Sequence, residues 1–195
     1  MKILIAVPTF ENICVETFKS IYNLDKDGHD VVFESVKGYD CAKARNEIGK
    51  RTLEGGYDAV LMVDSDIILP NDALVNLTEI TSDVTLGCYP HKNTTSHEVE
   101  LFRIGQPNFE TRYTYETMPI QSRIIVKGGG FGCALVRAHV FNKVPYPWFQ
   151  YKIYTNGEHL SEDLFFCSAV NRHHLRIEAD TRVRCGHLHK CFQFD

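Results

Sequence analysis

Asp64-Ser65-Asp66 directly follows the apolar run Ala59-Val60-Leu61-Met62-Val63. Side chains alternate along an extended chain, so the two carboxylates leave the end of a strand on one side, with Ser65 opposite. Converging carboxylates suit a hard divalent cation, Mn²⁺ or Mg²⁺, that keeps open positions for phosphate oxygens. Such a cation could hold a nucleoside diphosphate and neutralise it as it departs. As a string, Asp-x-Asp arises by chance about 0.7 times in a chain of this length, and a second copy, Asp25-Lys26-Asp27, sits in a turn-like stretch. Position separates the two: only Asp64 and Asp66 terminate a buried strand.

Four further groups carry possible chemistry. Asp40, Arg45 and Asn46 lie around a helix start. Arg45 there could grip a diphosphate with both guanidinium arms, and a carboxylate could accept from a base or ribose; a cap with a solvated helix face is the plainer reading. Gly128-Gly129-Gly130-Phe131-Gly132 would let backbone approach a sugar or phosphate, or would form a tight bulge. No Gly-Lys-Ser/Thr follows, so it is not a P-loop. Glu162-Asp163 opens a helix, where acids suit the dipole and where one carboxylate could serve as a general base. Cys185-x-His187-x-His189-x-Cys191 has zinc-ligand residue types, but its spacing puts all four on one side of a strand, which cannot wrap a tetrahedral ion. A single histidine from it could join the Asp64/Asp66 site. Trp148, Phe149 and Tyr151 could wall a sugar or fill a core.

The elements that must place these residues follow from the pattern. Residues 2–7 form a first strand ending at Pro8-Thr9. Helical spacing covers 12–23, a second strand 31–33, and Asp40 caps a helix running to Leu53 before Gly55-Gly56. Strand 59–63, a helix opened by Pro70-Asn71-Asp72 and strand 84–89 complete four strand–helix alternations. This predicts an α/β fold with a mostly parallel central sheet flanked by helices. Ligands bind beyond the carboxyl ends of such strands, where Pro8-Thr9, residues 38–45 and Asp64 to Asp66 would gather. Residues 97–126 alternate with period two and predict a smaller mixed or antiparallel part. Residues 131–136 form another strand, and Ser161 caps a helix through Ala169.

The chain has 195 residues, 44% of them hydrophobic, a formal net charge of −4 and no Lys/Arg block. These values predict one domain, residues 1–195. They argue against nucleic acid as partner. No run is long and apolar enough for a transmembrane segment, and seven widely spaced cysteines suggest reduced thiols and a cytoplasmic setting.

In their order and distances these residues resemble the GT-A glycosyltransferases, especially the family 2-like group. The resemblance runs through residues 3–9, Ala44-Arg45-Asn46, Val60 to Asp66 with Leu69-Pro70, Gly130 to Phe141, Ser161-Glu162-Asp163 and the His187 segment. It implies a metal-dependent transfer of a sugar from a UDP- or GDP-linked donor to the hydroxyl of a saccharide or other acceptor, with residues 1–90 as the nucleotide-binding half and residues 91–195 as the acceptor and catalytic half. Asp64, Asp66 and His187 match the metal positions, and Pro8, Thr9 and Arg45 the donor-nucleotide positions. Asp163, beside Glu162, matches the base of inverting members. Asp40, Gly129, Gly130 and Trp148 are the remaining expected donor contacts. The Gln-x-x-Arg-Trp signature of processive synthases is absent. The competing readings are a nucleotidyltransferase, whose Gly-rich basic loop after the first strand is replaced here by Pro8-Thr9-Phe10-Glu11, and a non-catalytic sugar- or nucleotide-binding module.

Overall fold

A computed structural model describes residues 1–38, 40–92, 97–105, 109, 111–155, 157 and 159–188. The first half runs β1 (Lys2–Thr9), α1 (Val15–Tyr22), β2 (Asp30–Lys37), α2 (Cys41–Glu54), β3 (Ala59–Val63), β4 (Ile67–Ile68), α3 (Ala73–Thr78) and β5 (Val84–Cys88). The second half begins β6 (Glu98–Phe102), β7 (Arg112–Thr114), β8 (Arg123–Ile125), β9 (Gly128–Gly129), β10 (Cys133–Arg137) and α4 (Ala138–Lys143). It ends β11 (Lys152–Ile153), β12 (His159–Leu160), α5 (Glu162–Arg172), β13 (Ile177–Arg184) and β14 (Gly186–His187).

Buried strands β1, β3 and β5 read as nearly unbroken apolar runs because helices cover both faces of their sheet. Alternation still sorts their side chains. Leu4, Ala6, Val60 and Met62 pack with Ile48, Phe141 and Phe166, on the side of α2, α4 and α5. Ile3, Ile5, Val7, Leu61 and Val63 pack with Ile21, Leu74 and Leu77, on the side of α1 and α3. The result is an α/β/α layering.

The central sheet has seven strands in the order β2-β1-β3-β10-β5-β13-β8. β1 pairs parallel with β2 and β3, and β13 pairs parallel with β5. β10 lies antiparallel between β3 and β5, and β8 antiparallel at the edge. The sheet is therefore mostly parallel, as the alternation predicts. The intrusion of β10, contributed by the second half, was not legible. It fits because Gly87 clears the way: a Cβ there would stand 2.7 Å from Cys133 Sγ. The smaller antiparallel sheet β7-β6-β9 and the pair β11-β12 occupy the second half, where mixed pairing was expected.

Local chemistry shifts some boundaries. α1 begins at Val15 rather than near residue 12, because Thr9 Oγ1 donates to the Asn12 carbonyl at 2.9 Å and Cys14 N donates to the Ser65 carbonyl at 2.9 Å. Asp40 caps α2 as expected, its Oδ1 accepting from Lys43 N at 2.7 Å. Ser161 precedes α5, but its hydroxyl turns to the Asp163 carboxylate instead of accepting from the helix backbone. The six described cysteines are free thiols; Cys191 and His189 lie outside the described residues. Among the described residues no helix is long and apolar enough to cross a membrane.

Candidate functional site

The carboxyl ends of β1, β2 and β3 open on a cleft of about 410 Å³. Pro8 and Thr9 leave β1 there, Gly38 and Asp40 follow β2, and Asp64, Ser65 and Asp66 follow β3. Cys41 and Ala44 from the first turn of α2, and Tyr151 from the approach to β11, complete its wall. Three polar clusters far apart in sequence thus share one sheet edge, the usual ligand position in an open α/β sheet.

The alternation that sends Val60 and Met62 toward α2 sends Asp64 the same way. There it meets Arg45, whose Nη2 donates to Asp64 Oδ1 at 2.7 Å. The other arm, Nη1, donates to Glu162 Oε1 at the start of α5. Arg45 is 2% exposed and clamps two carboxylates of its own chain. Burial opposes its charge, but Asp64 and Glu162 outweigh that and hold its pKa above the usual arginine value. Its Nε is buried without a hydrogen-bond partner. Glu162, one of the two expected catalytic carboxylates, is 6% exposed and spent on Arg45.

Beyond Asp64 the chain turns: Ile67 N donates to the Asp64 carbonyl at 3.1 Å. β4 then pairs antiparallel with β14, setting Ile67 opposite His187, and Leu188 N donates to the Asp66 carbonyl at 2.9 Å. This two-residue ladder brings the late histidine to the acidic loop. His187 Nδ1 lies 2.7 Å from the Pro90 carbonyl, which can only accept, so Nδ1 carries the proton. The other ring nitrogen, Nε2, lies 3.7 Å from Asp66 Oδ1. A backbone carbonyl that fixes the ring and its tautomer is the usual outer support of a metal-ligating histidine. The other Asp66 oxygen, Oδ2, is paired with Lys92 Nζ.

The residues present fit a divalent cation through few protein ligands. Asp66 and His187 face each other, while Asp64 is pinned by Arg45; among the described residues no cluster of three or more His, Cys, Asp or Glu could hold an ion. Mg²⁺-type sites keep waters and substrate phosphates as their remaining ligands, so one carboxylate and one imidazole suffice as the protein's share.

A second cleft, of about 350 Å³, meets the first at Asp64 and Lys92. Asp163 and Leu164 line it from α5 and Ser161 from just before it, Tyr89 and His91 from the segment after β5, His187 from β14, and Glu100, Phe102 and Arg112 from the small sheet. Glu100 is held from both sides, by His91 Nδ1 and by Arg112 Nε at 3.4 Å. Asp163 Oδ1 accepts from Ser161 Oγ and, at 2.7 Å, from Leu164 N. Burial raises the Asp163 pKa, the Arg45 cation pulls it down and the Glu162 charge raises it again, for a balance at about 6. A carboxyl poised near neutrality suits proton transfer. Burial, then the charges of Asp64, Asp163 and Glu100, keep the Tyr89 phenol protonated.

Three expected donor contacts lie elsewhere. Trp148 is 5% exposed in the core, its indole N–H donating to the Phe141 and Val144 carbonyls at 3.0 and 2.9 Å. It fits only because residue 49 is glycine, where a Cβ would stand 2.7 Å from the ring. Gly129 and Gly130 are also buried. A Cβ at Gly129 would lie 2.5 Å from the Glu100 carbonyl, and one at Gly130 would lie 2.0 Å from Tyr89 Oη. These glycines admit close approach by their own chain. Of the aromatic trio, only Tyr151 reaches the first cleft. Tyr89, His91, Lys92, Glu100 and Arg112 were not singled out by sequence, since none lies in a motif and the small sheet that aims them forms only with long-range pairing.

No protein-family model matches the chain, and no curated protein does. Solved structures do. Over 97% of its length the chain superposes on A197 from STIV, with 20% identity, a TM-score of 0.66 and 87% of that chain covered. It superposes on S. aureus TarS 1–349 in complex with UDP-GlcNAc, with 16% identity, a TM-score of 0.56 and 97% and 59% of the two chains covered. With the catalytic domain of Drosophila β1,4-galactosyltransferase 7 in complex with xylobiose the identity is 18%, the TM-score 0.56 and the coverage 97% and 71%. GalNAc-T7 with UDP, GalNAc and Mn²⁺ superposes on the whole chain at 8% identity and a TM-score of 0.66, which spans 44% of that protein. The chain has a GT-A-like fold.

Proposed function

We propose that the chain is a glycosyltransferase that moves a sugar from a UDP- or GDP-linked donor to an acceptor hydroxyl with inversion. The observation that carries this reading is the meeting of two clefts at Asp64: the first lined by the strand ends that suit a nucleotide, the second containing Asp163. The donor lies in the first cleft with its anomeric carbon near Asp64. The acceptor enters the second. Asp163 takes the proton of the acceptor hydroxyl as that oxygen attacks the anomeric carbon. The bond from that carbon to the β-phosphate oxygen breaks, and the nucleoside diphosphate leaves with the electron pair. Arg45 and Glu162 hold Asp64 and α5 in place for this attack. Mn²⁺ or Mg²⁺, held by Asp66 and His187, would supply Lewis-acid stabilisation of the departing diphosphate.

The neighbouring structures bound to UDP-GlcNAc and to UDP with Mn²⁺ support the choice of ligand class. The test is incubation of the protein with a panel of UDP- and GDP-sugars and Mn²⁺, with chromatography of the released nucleotide. Slow release of UDP or GDP that stops with EDTA is expected. No release from any donor, together with no binding of UDP or GDP by calorimetry, refutes the proposal.

A further inference from the structure

Lys92 stands where the two clefts join and lines both. Its ammonium is paired with Asp66 Oδ2, on the carboxylate whose other oxygen faces His187 Nε2 at 3.7 Å. An ammonium therefore already sits on one oxygen of the carboxylate that a divalent cation would need. Two cations on one carboxylate repel each other, so each weakens the other's hold on it. The side chain is 44% exposed and ends a flexible four-carbon stem, so moving it costs little. Arg45, the other cation near Asp64, is buried and committed to Asp64 and Glu162.

We infer that Lys92 is a partner-switching cation: it pairs with Asp66 before donor and metal bind and passes to the donor's diphosphate when a divalent cation takes Asp66. This inference rests on the proposed donor class and adds a residue to it. The exchange serves two ends. It keeps Asp66 neutralised before donor and metal bind, and it releases a positive charge toward the phosphates only when the metal is in place. Lys92 then shares the negative charge that develops on the leaving group, as a point charge rather than as a planar fork.

The experiment measures two affinities on the same variants. Mn²⁺ alone is titrated by electron paramagnetic resonance, and UDP and GDP are titrated by calorimetry at saturating Mn²⁺. Lys92→Met should bind Mn²⁺ alone at least about threefold more tightly, because its competitor is gone. The same variant should bind the preferred nucleoside diphosphate about tenfold more weakly, because a charge-assisted contact is lost. Lys92→Arg should restore nucleotide affinity to within about threefold of wild type. Opposite signs for metal and nucleotide are the signature, since a merely structural role would move both the same way. If both affinities fall together, or neither moves, while the wild type binds UDP or GDP normally, the Lys92 inference fails and the donor reading stands. If the wild type binds neither nucleotide, both fail.

Discussion

Asp163→Asn separates stability from catalysis at one position. The folded carboxyl has a pKa of about 6 against an ordinary 3.8, chiefly because burial disfavours its charge. A raised folded pKa means that the native state holds the proton more tightly than the unfolded chain does. Stability from that proton is full below about pH 3.8 and is lost as pH rises through about 6. The difference of about 2 pH units corresponds to about 3 kcal/mol at pH 8 and about 1 kcal/mol near pH 4.5. Asparagine never ionises, and its carbonyl oxygen can still accept from Ser161 Oγ and Leu164 N, the bonds that Oδ1 now accepts. Urea denaturation should therefore find Asp163→Asn more stable than wild type by about 3 kcal/mol at pH 8, with the gain shrinking toward pH 4.5. Transfer should fall by about 10²–10⁴-fold in the same variant. The wild-type kcat/KM should rise with pH through about 6 and level off above it. An equal or absent stability gain at the two pH values would refute the burial argument. A variant that transfers sugar at near the wild-type rate would refute the assignment of the base.

Other perturbations test the supporting structure. Arg45→Met leaves Glu162 buried without its cation and should cost about 3–5 kcal/mol, whereas the double variant with Glu162→Gln should recover much of that loss in a thermal-unfolding cycle; an additive pair would show that the clamp is not coupled. Gly130→Ala puts a methyl 2.0 Å from Tyr89 Oη, so it should lower the melting temperature, and adding Tyr89→Phe should partly restore it. Restoration would be absent if the glycine served only a ligand. Asn46 accepts from Trp148 N and Phe149 N at 3.0 and 3.2 Å and donates to the Phe149 carbonyl at 2.7 Å. Asn46→Ala strands these buried groups and should cost at least about 2 kcal/mol in urea denaturation; a loss below about 0.5 kcal/mol would mean that water replaces the side chain.

The first half of the fold was legible because its information is local. The apolar runs Ile3 to Val7 and Ala59 to Val63 mark strands buried on both faces, and Asp40 marks a helix start by its own hydrogen bond. The position of Asp64 follows from alternation alone. The partner of Arg45 does not. Sequence offered a guanidinium near a helix start, and the expectation of a diphosphate contact treated that start as exposed. Its burial is set by Glu162, which lies 117 residues away in sequence. Glu162 and Asp163 show the same limit. Adjacent acids in a first helical turn look equivalent, yet one is consumed by Arg45 while the other lines a cleft.

The glycine run carried two readings in sequence for a physical reason. A glycine marks close approach, but its identity does not say what approaches. The structure brings the Tyr89 hydroxyl, the Glu100 carbonyl and neighbouring core side chains against the run. That packing bears on the site. Tyr89 Oη accepts from Gly132 N at 3.0 Å, and its ring stands edge-on to His187 at 5.3 Å. Glycines at 130 and 132 therefore let a buried phenol sit against the imidazole whose Nδ1 is fixed by the Pro90 carbonyl. The run acts on the proposed chemistry through packing: it shapes the wall that orients His187 toward Asp66. A ligand-binding loop and a loop that packs a ligand's neighbour carry the same residues, and only the long-range pairing of β9 with β6 distinguishes them.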